Sequence, residues 1–337
     1  MDKIKKILII RLRKIGDIVL TTPVLTAVKQ LFQTAKIDYI VEAPFGELIE
    51  NHPLIDTPII INRNDSILKI RKIFKDKKYD ILYDMHGGPR ASTISLLVKA
   101  KIKVGYNHPY RGFIYDFKIN RHFTSPIHSV ENQLNLVRVT GFKEKTPEDI
   151  ILPPIDEYIE KKIEQRISKT ENNRIVLHIG AGNRFRDWGE NRYKELIRLL
   201  INDKIVPVLT GGKDAMERGK RYENEFGNKI INLTAKASLT ELRYIIKKSL
   251  LFFGVDSGPM HIAAATNTPI IAIFGPNIPA ISGPWRKKDI YIIEKNLDCR
   301  PCSQRKCIYG DIRCQSTITV EEVYNKIKEV IGEKSVR

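Results

Sequence analysis

The chain has 337 residues, 42% of them hydrophobic, so it can bury more than one core, and about two domains are expected. No apolar run approaches the ~20 residues of a membrane-spanning helix. The basic start of the chain is interrupted by arginines and lacks a small-residue cleavage site. These observations disfavour membrane-spanning and secreted proteins and predict a cytoplasmic one.

Lys and Arg total 57 against 39 Asp and Glu, a formal net charge of +18. Such an excess indicates an anionic partner: nucleic acid, an acidic membrane face or a phosphorylated substrate. A general Lys and Ile bias of the source genome is the alternative explanation. No zinc finger, aromatic-plus-basic RNA motif or heptad zipper is visible, which disfavours nucleic acid.

The first half of the chain alternates buried strands with helices, which predicts a parallel, doubly wound α/β sheet. One helix, ending near residue 32, begins either at Asp17 or at Thr22. The stretch 111–127 is polar and is predicted to be irregular. Strands are predicted at 6–12, 36–41, 57–61, 79–84 and 101–105, with further helices at 66–75, 91–99 and 129–140.

The second half repeats the alternation after a proline-containing, charged stretch at 142–156, which has the composition of a linker. Two similar α/β domains are therefore predicted, and a ligand is expected near the carboxyl ends of the strands. Strands are predicted at 174–179, 205–209, 229–233, 250–255, 270–274 and 289–293, and a last helix at 319–331.

The stretch 250–276 combines two buried strands with a short helix between them. Ser257 and Gly258 stand where that helix begins, directly after Asp256, and a helix N-terminus at the end of a parallel strand is suited to a phosphate. His261 could touch a leaving phosphate or be an ordinary buried histidine. An ordinary strand–helix turn capped by Ser257 is the structural alternative.

Two carboxylates follow other predicted strands. Asp17, after a glycine in RLRKIGD, could act as a general base for a hydroxyl, or it could only cap a helix. Asp214, in GGKD, could bind a ribose or sugar hydroxyl, and helix capping is again the alternative.

The loop HIGAGNRFRDW is a candidate phosphate site. Its glycines, Gly180 among them, free backbone amides, and Arg184 or Arg186 could pair with a phosphate through the guanidinium fork. It is not a dinucleotide fingerprint, because Phe185 occupies the place of the third glycine.

The four cysteines, at C-x2-C-x4-C-x6-C spacing, all lie in one loop. The spacing permits a structural zinc clip away from catalysis, but zinc is not favoured over thiols that stay free or form a stray disulfide on purification. They are Cys299, Cys302, Cys307 and Cys314.

Taken together, four ordered motifs resemble the heptosyltransferase family, glycosyltransferase family nine, over about residues 7–330. They are RLRKIGDIVLTTPVLTAVK, HIGAGNRFRDWGENRYKELI, VLTGGKD and GVDSGPMHIAAATNTPIIAIFGP. The resemblance implies a GT-B fold, with two Rossmann-like parallel-sheet domains facing across a cleft. It assigns an acceptor-binding domain to 1–155, a nucleotide-sugar domain to 156–317 and a helix packing back toward the first domain to 318–337.

The resemblance also implies an inverting, metal-independent transfer of heptose from ADP-heptose to the inner core of lipopolysaccharide, with no cofactor besides the nucleotide-sugar co-substrate. Asp17 is the implied catalytic base, and Arg90 and Arg13 face a phosphorylated lipopolysaccharide-core or lipid A acceptor. The implied donor-binding residues are Gly180, Arg186, Asp214, Asp256, Ser257, Gly258 and His261.

Two positions differ from what is common in the family. Asp187 stands where some members carry histidine, and Asn277 opens a loop where Thr-Asp-Pro is frequent. Both lie in donor-binding motifs, so a transferase or epimerase that uses another nucleotide sugar remains an alternative.

A non-catalytic basic protein, with strongly salt-dependent binding and no use for Asp17, is the alternative from another class. Peripheral contact with the anionic cytosolic face of the inner membrane is also expected.

Overall fold

Two parallel sheets, one in each half of the chain, form the framework of the protein. The computed structural model describes residues 4–121, 126–168 and 173–335. The chain divides into two compact units, Met1–Pro154 and Ile155–Arg337. The predicted α/β class with two parallel-sheet domains is confirmed. The binding roles assigned to the two domains stay predictions.

The sheet of the first unit is built around its first strand. Its strands are β1 (Lys6–Ile10), β2 (Lys36–Glu42), β3 (Thr57–Ile61), β4 (Lys78–Asp84), β5 (Lys99–Tyr106) and β6 (Phe117–Ile119). They are parallel and lie in the order β3-β2-β1-β4-β5-β6. The direction of winding reverses between β1 and β4, so the loops that follow these two strands diverge and leave a crevice at the carboxyl edge.

Helices cover both faces of this sheet. They are α1 (Ile15–Val19), α2 (Thr22–Leu31), α3 (Ile67–Phe74), α4 (Pro89–Leu97) and α5 (Ser129–Arg138), with single 3-10 turns at Gly46–Leu48 and Gly112–Ile114. On one face α3 and α4 bury Phe74 and Ile94 against Leu8 and Leu82. On the other side α2 packs against α5. The helix whose start was ambiguous is two helices, α1 and α2.

The sheet of the second unit has the same arrangement around β7. Its strands are β7 (Arg174–His178), β8 (Val206–Thr210), β9 (Ile231–Asn232), β10 (Leu251–Val255), β11 (Ile270–Phe274) and β12 (Ile290–Glu294). They are parallel in the order β12-β11-β10-β7-β8-β9. The reversal falls between β7 and β10, where every residue of both strands is buried. Continuous apolar burial is expected of central parallel strands.

The helices of the second unit complete its core. They are α6 (Glu157–Ile167), α7 (Glu190–Asn202), α8 (Met216–Phe226), α9 (Leu239–Lys247), α10 (Gly258–Ala264), α11 (Pro279–Ser282), α12 (Arg313–Ser316) and α13 (Val320–Ser335), with 3-10 turns at Arg184–Arg186, Lys213–Ala215 and Gly227–Lys229. The last helix packs against α7, and Val323 and Ile327 enter the core of this unit. Its predicted packing toward the first domain stays a prediction.

Strand β6 and helix α6 were not predicted, and neither were the one-turn helices α11 and α12. Strand β6 lies in the stretch expected to be irregular, because three residues at a sheet edge give no recognisable period. Residues 122–125 of that stretch lie outside the described part of the chain. Helix α6 follows the linker directly and is capped by Asp156, whose side chain accepts the Ile159 N–H at 2.8 Å.

No helix in the described ranges is both long enough and apolar enough to cross a membrane.

Candidate active site

Asp17 lies in the crevice of the first unit, on the short helix that follows β1. One carboxylate oxygen forms an ion pair with Arg11, and the other accepts the backbone N–H of Lys14 at 3.1 Å. Arg11 is buried and donates a second hydrogen bond to the Met85 carbonyl. The Asp17 side chain is nevertheless 40% exposed. The carboxylate is therefore oriented by a buried cation while it stays accessible to a ligand.

Arg13 and Arg90, the two predicted acceptor-binding residues, converge on one buried carboxylate. Glu42, at the end of β2, forms ion pairs with Arg90 Nε at 3.0 Å and with Arg13 Nε at 3.7 Å. Both arginines remain partly exposed, whereas Glu42 is almost fully buried. Glu42 can thus fix the two guanidinium groups without occupying their exposed sides. The sequence analysis did not single it out.

Asp84 shapes the loop that leads to Arg90. Its Oδ1 accepts hydrogen bonds from the backbone N–H groups of His86 at 2.9 Å and Gly87 at 2.8 Å, and its Oδ2 accepts a hydrogen bond from the Tyr115 hydroxyl. Burial raises the pKa of Asp84 above its ordinary value, against the lowering effect of these hydrogen bonds. Asp84 is a structural acceptor rather than an exposed functional group.

The environment of this crevice is electropositive. Burial, followed by the charges of Arg11, Arg13 and Arg121, lowers the pKa of His86 to about 4, although Asp17 opposes the shift. Arg121 also stacks over the ring of Tyr106, 5.0 Å from its centroid. A partner bearing phosphate groups suits such a site, and one carboxylate stands among the cations.

In the second unit the loop between β7 and α7 is anchored at its end. Trp188 is fully buried and donates its indole N–H to the Ile318 carbonyl at 3.0 Å. Asp187, one residue before it, accepts two hydrogen bonds from Arg218, at 2.9 and 2.5 Å. A bidentate pair of this kind restricts the loop geometry. The 3-10 turn Arg184–Arg186 is held in place in this way.

Arg186 lies between Asp256 and the cysteine-bearing loop. Its Nη1 donates to the Asp256 carbonyl at 3.1 Å and lies 3.8 Å from the Asp256 carboxylate, while its Nε donates to Gln304 at 2.9 Å. Among the described residues no hydrogen bond is found from Nη2, and the side chain is 24% exposed. Two nitrogen atoms of Arg186, Nε and Nη1, are therefore engaged within the protein, and Nη2 is available to bind an anion.

Gln304 joins three residues at this point. Its carbonyl oxygen accepts from Arg186 and, at 3.2 Å, from Asn183, and its amide donates to Asn277 at 2.7 Å. Asn277 in turn donates to the Asp256 carboxylate. Burial raises the pKa of Asp256, which the charge of Arg186 and the Asn277 hydrogen bond oppose. The sequence offered no signal for Gln304, which lies 118 positions after Arg186.

The predicted phosphate site at the start of α10 is partly as expected. Ser257 stands at the N-cap position, but its side chain does not cap the helix. Its hydroxyl is buried and has no hydrogen-bond partner within the described ranges. Because buried hydroxyls normally have partners, this one is suited to a ligand. Gly258 opens the helix, and His261 is buried in it.

Gly180 and Asp214 are brought together by the parallel strands β7 and β8. A Cβ atom at Gly180 would lie 3.5 Å from the Asp214 carboxylate. That carboxylate accepts the Gly182 N–H at 3.1 Å and stays exposed. Gly182 has a φ of 62°, a conformation that favours glycine. The structure thus groups the predicted donor-binding residues at one edge of the second sheet.

None of the four cysteines forms a disulfide bond in the structure. Burial and then the neighbouring cysteines raise the pKa of Cys314 to about 11. In the ranges that the structure describes, no three His, Cys, Asp or Glu side chains are arranged to hold a metal ion. The zinc clip therefore stays a prediction. The cysteine-bearing loop lies close to the candidate site. The backbone N–H of Cys302 donates to the Pro276 carbonyl at 3.0 Å, and Gln304 in the same loop contacts Arg186.

His178 makes the second unit sensitive to acid. It is buried at the end of β7 beside Thr210, and burial lowers its pKa to about 4. From about pH 6.5 down to about 4 the unfolded chain binds a proton that the native imidazole does not, so stability falls as the pH falls. We expect His178 to account for a loss of at most about 3 kcal/mol across this window, measurable by urea unfolding.

Between pH 7.5 and pH 4, His178→Gln should lose less free energy of unfolding than the wild type. The difference should be at most ~3 kcal/mol, the value for a fully buried group. His108→Gln, in an exposed loop, controls for the removal of an imidazole. Equal pH dependence in the wild type and His178→Gln would contradict the assignment.

Two doubly wound sheets, each with charged loops where the direction of winding reverses, are the framework of GT-B glycosyltransferases. Comparison with known proteins agrees. The crystal structure of a glycosyl transferase family 9 protein from Veillonella parvula has a TM-score of 0.86 at 21% identity, covering 98% of this chain and 97% of that one. The E. coli heptosyltransferase WaaC with ADP has a TM-score of 0.72 at 22% identity, covering 96% and 99%. The predicted GT-B fold class is confirmed.

The sequence comparison defines the family. The profile of glycosyltransferase family 9 (heptosyltransferase) matches residues 67–313, and the chain belongs to this family. Lipopolysaccharide heptosyltransferase 1 of Campylobacter coli is 26% identical, with 98% of this chain and all of the relative aligned. The resemblance stated from the motifs is confirmed, and an enzyme is favoured over a non-catalytic binding protein.

Proposed function

We propose that this protein transfers heptose from ADP-heptose to the inner core of lipopolysaccharide, with inversion at the sugar carbon. The observation that carries the proposal is the state of Asp17, a carboxylate oriented by buried Arg11 yet 40% exposed. A general base needs this combination of fixed geometry and access. Family membership and the similarity to lipopolysaccharide heptosyltransferases support the substrate class.

In the proposed reaction Asp17 accepts the proton of an acceptor hydroxyl. The hydroxyl oxygen forms a bond to the anomeric carbon of heptose, and the bond from that carbon to the ADP oxygen breaks with its electron pair on ADP. One displacement inverts the configuration. A base of this kind contributes about 10²- to 10⁴-fold to the rate.

The departing diphosphate needs positive charge. Arg186 offers Nη2, and the start of α10 adds backbone N–H groups and the Ser257 hydroxyl; within the described ranges neither Nη2 nor this hydroxyl has a hydrogen-bond partner. These groups supply the stabilisation that a metal ion gives in other transferases, so the proposed mechanism is metal-independent. Asp214 and Gly180 are assigned to the nucleoside part, where an exposed carboxylate can accept hydrogen bonds from ribose hydroxyls.

Arg13 and Arg90 are assigned to the phosphates of the acceptor. Their shared partner Glu42 forms an ion pair with each of the two guanidinium groups and so restrains both side chains. A phosphorylated core or lipid A acceptor implies a cytoplasmic enzyme working at the inner face of the membrane. Both the location and the membrane contact belong to this proposal.

The test is a transfer assay with a panel of nucleotide sugars and a phosphorylated inner-core acceptor. We expect ADP release and product with ADP-heptose, a product anomer opposite to that of the donor, and no loss on addition of EDTA. Turnover only with UDP- or GDP-sugars would overturn the donor assignment. The specific alternative is another ADP-linked sugar, because two residues that differ from the common family pattern lie close to the donor-binding residues: Asn277 donates to Asp256, and Asp187 anchors the loop that carries Arg186.

Gln304 is expected to set donor affinity. Gln304→Ala removes the acceptor of Arg186 Nε and the donor to Asn277, so the arginine is less well positioned. We expect the KM for ADP-heptose to rise about five- to tenfold with a smaller change in kcat, the size of one or two hydrogen bonds. Steady-state kinetics check this, and Gln165→Ala, at an exposed position of α6, is the control. An unchanged KM would show that Gln304 does not position Arg186.

A further inference from the structure

Among the described residues of the first unit, the four most exposed large apolar side chains lie on segments at the edge of the sheet that carries Asp17. Ile67 and Leu68, in the first turn of α3, are 58% and 76% exposed, and Tyr110 and Phe113, in the loop after β5, are 82% and 75% exposed. Segments that follow parallel strands lie at the carboxyl edge of the sheet. We call these four residues the apolar rim.

Both parts of the apolar rim are tied to the beginning of α4, where Arg90 lies. Arg90 Nη2 donates to the carbonyl of Asn62 at 2.9 Å, in the loop that leads into α3. On the other side Ser92 and Tyr115 join their hydroxyls at 3.2 Å, and the turn Gly112–Ile114 packs against α4. The apolar rim therefore flanks the proposed acceptor-binding arginine.

The surface around the apolar rim is strongly basic. Residues 62–118 contain thirteen Lys and Arg against five Asp and no Glu. Two of the five acids, Asp80 and Asp84, are buried, which leaves still less exposed negative charge. The exposed charged side chains of α3, together with Lys75 directly after it, are all cations, and we call them the basic face of α3: Lys69, Arg71, Lys72 and Lys75.

This combination fits an anionic lipid bilayer. Leucine, isoleucine and aromatic side chains on a helix turn and a loop can enter the interface, while lysine and arginine reach the lipid phosphates. Basic clusters beside apolar anchors strengthen attachment to anionic lipid, and the attraction is screened by salt. A nucleic acid would use the cations but has no use for exposed Leu68 and Ile67.

We propose that the apolar rim and the basic face of α3 dock this protein on an anionic bilayer. The inference deepens the proposed function and rests on it in one respect: a lipid-anchored acceptor would then be presented beside Arg90 and Asp17. The surface itself is defined by exposure and charge, independently of the reaction.

The test is co-sedimentation of the full chain with vesicles of phosphatidylglycerol and phosphatidylcholine in equal parts, compared with phosphatidylcholine alone. The wild type is expected to bind the anionic vesicles and to be released by high salt. Leu68→Asp with Phe113→Asp should lower the partition coefficient at least about tenfold, because two apolar anchors become charged. The triple variant Arg71→Gln, Lys72→Gln, Lys75→Gln should lower it about 100-fold at low salt.

Matched controls lie in the second unit. Tyr158→Asp replaces an equally exposed aromatic residue, and the triple variant Lys161→Gln, Lys220→Gln, Lys229→Gln removes the same number of exposed cations. Both controls should bind like the wild type. Equal losses in the control and rim variants would overturn the proposal, since net charge alone would then explain binding. So would a wild type that does not bind anionic vesicles.

Two further measurements separate the alternatives. Ultracentrifugation that shows self-association abolished by Leu68→Asp would assign the apolar rim to a second copy instead. Transfer to an acceptor freed of its acyl chains should be unchanged in the rim variants, whereas transfer to vesicle-embedded acceptor should fall. Vesicle binding by a wild type that transfers no heptose to either acceptor would sustain the docking surface and reject the proposed function.

Discussion

Asp17→Ala is expected to lower kcat for heptose transfer about 10³-fold, because the acceptor hydroxyl loses its base. The KM values for donor and acceptor should change little, since the carboxylate acts on the proton in the transition state. The measurement is steady-state kinetics of ADP release, with product analysis to exclude hydrolysis. Near-normal turnover would reject Asp17 as the base.

The structure imposes a stability control on this experiment. Asp17 neutralises buried Arg11, and removal of one partner of a buried pair can cost several kcal/mol. Asp17→Asn keeps the size of the side chain and an acceptor for the Lys14 N–H, so it should fold better while remaining inactive. Glu50→Gln, an exposed carboxylate of the same unit, should keep full activity. The folded fraction of each variant is measured by urea unfolding.

Arg186→Ala is expected to lower kcat/KM for ADP-heptose by about 10²- to 10³-fold, because the departing diphosphate loses a preorganised cation. The stabilisation of the protein by ADP in a thermal-shift assay should shrink in parallel, since it follows ligand affinity. Arg186→Lys should retain part of the activity, because it keeps the charge but not the planar fork that reaches Asp256 and Gln304 together.

Arg184→Ala is the matched control for Arg186. Arg184 lies two positions earlier in the same turn, is exposed and stacks over the Phe185 ring at 4.8 Å. Its loss should leave donor binding nearly unchanged. If Arg184→Ala were the damaging change and Arg186→Ala the harmless one, the phosphate site would have to be reassigned within this loop.

The sequence indicated the candidate residues for a topological reason. Continuous apolar runs predicted central parallel strands, and parallel strands of one sheet end at one edge. Charged and glycine-rich loops after successive strands must therefore meet, as Gly180 and Asp214 do across β7 and β8. The same reasoning could not find β6 or α6, because a three-residue edge strand and a polar helix have too few buried residues to show a period.

The partners of these residues were beyond the sequence. Glu42, which holds Arg13 and Arg90, is one acid among 39 Asp and Glu, and nothing local marks it. Gln304 reaches Arg186 from a loop whose cysteines drew attention to a metal instead. Such contacts depend on how loops far apart in the chain pack, and side-chain geometry of that kind leaves no periodic signal.

By itself, then, the sequence determined the parallel sheets, the heptosyltransferase resemblance and which loops carry the polar groups, because these follow from residue type and spacing. Only the tertiary structure decided that Asp17 stays exposed while paired with a buried arginine, and that Ser257 has a buried hydroxyl without a partner in the described residues. Burial and partnership are properties of packing, and packing joins residues that the chain order keeps apart.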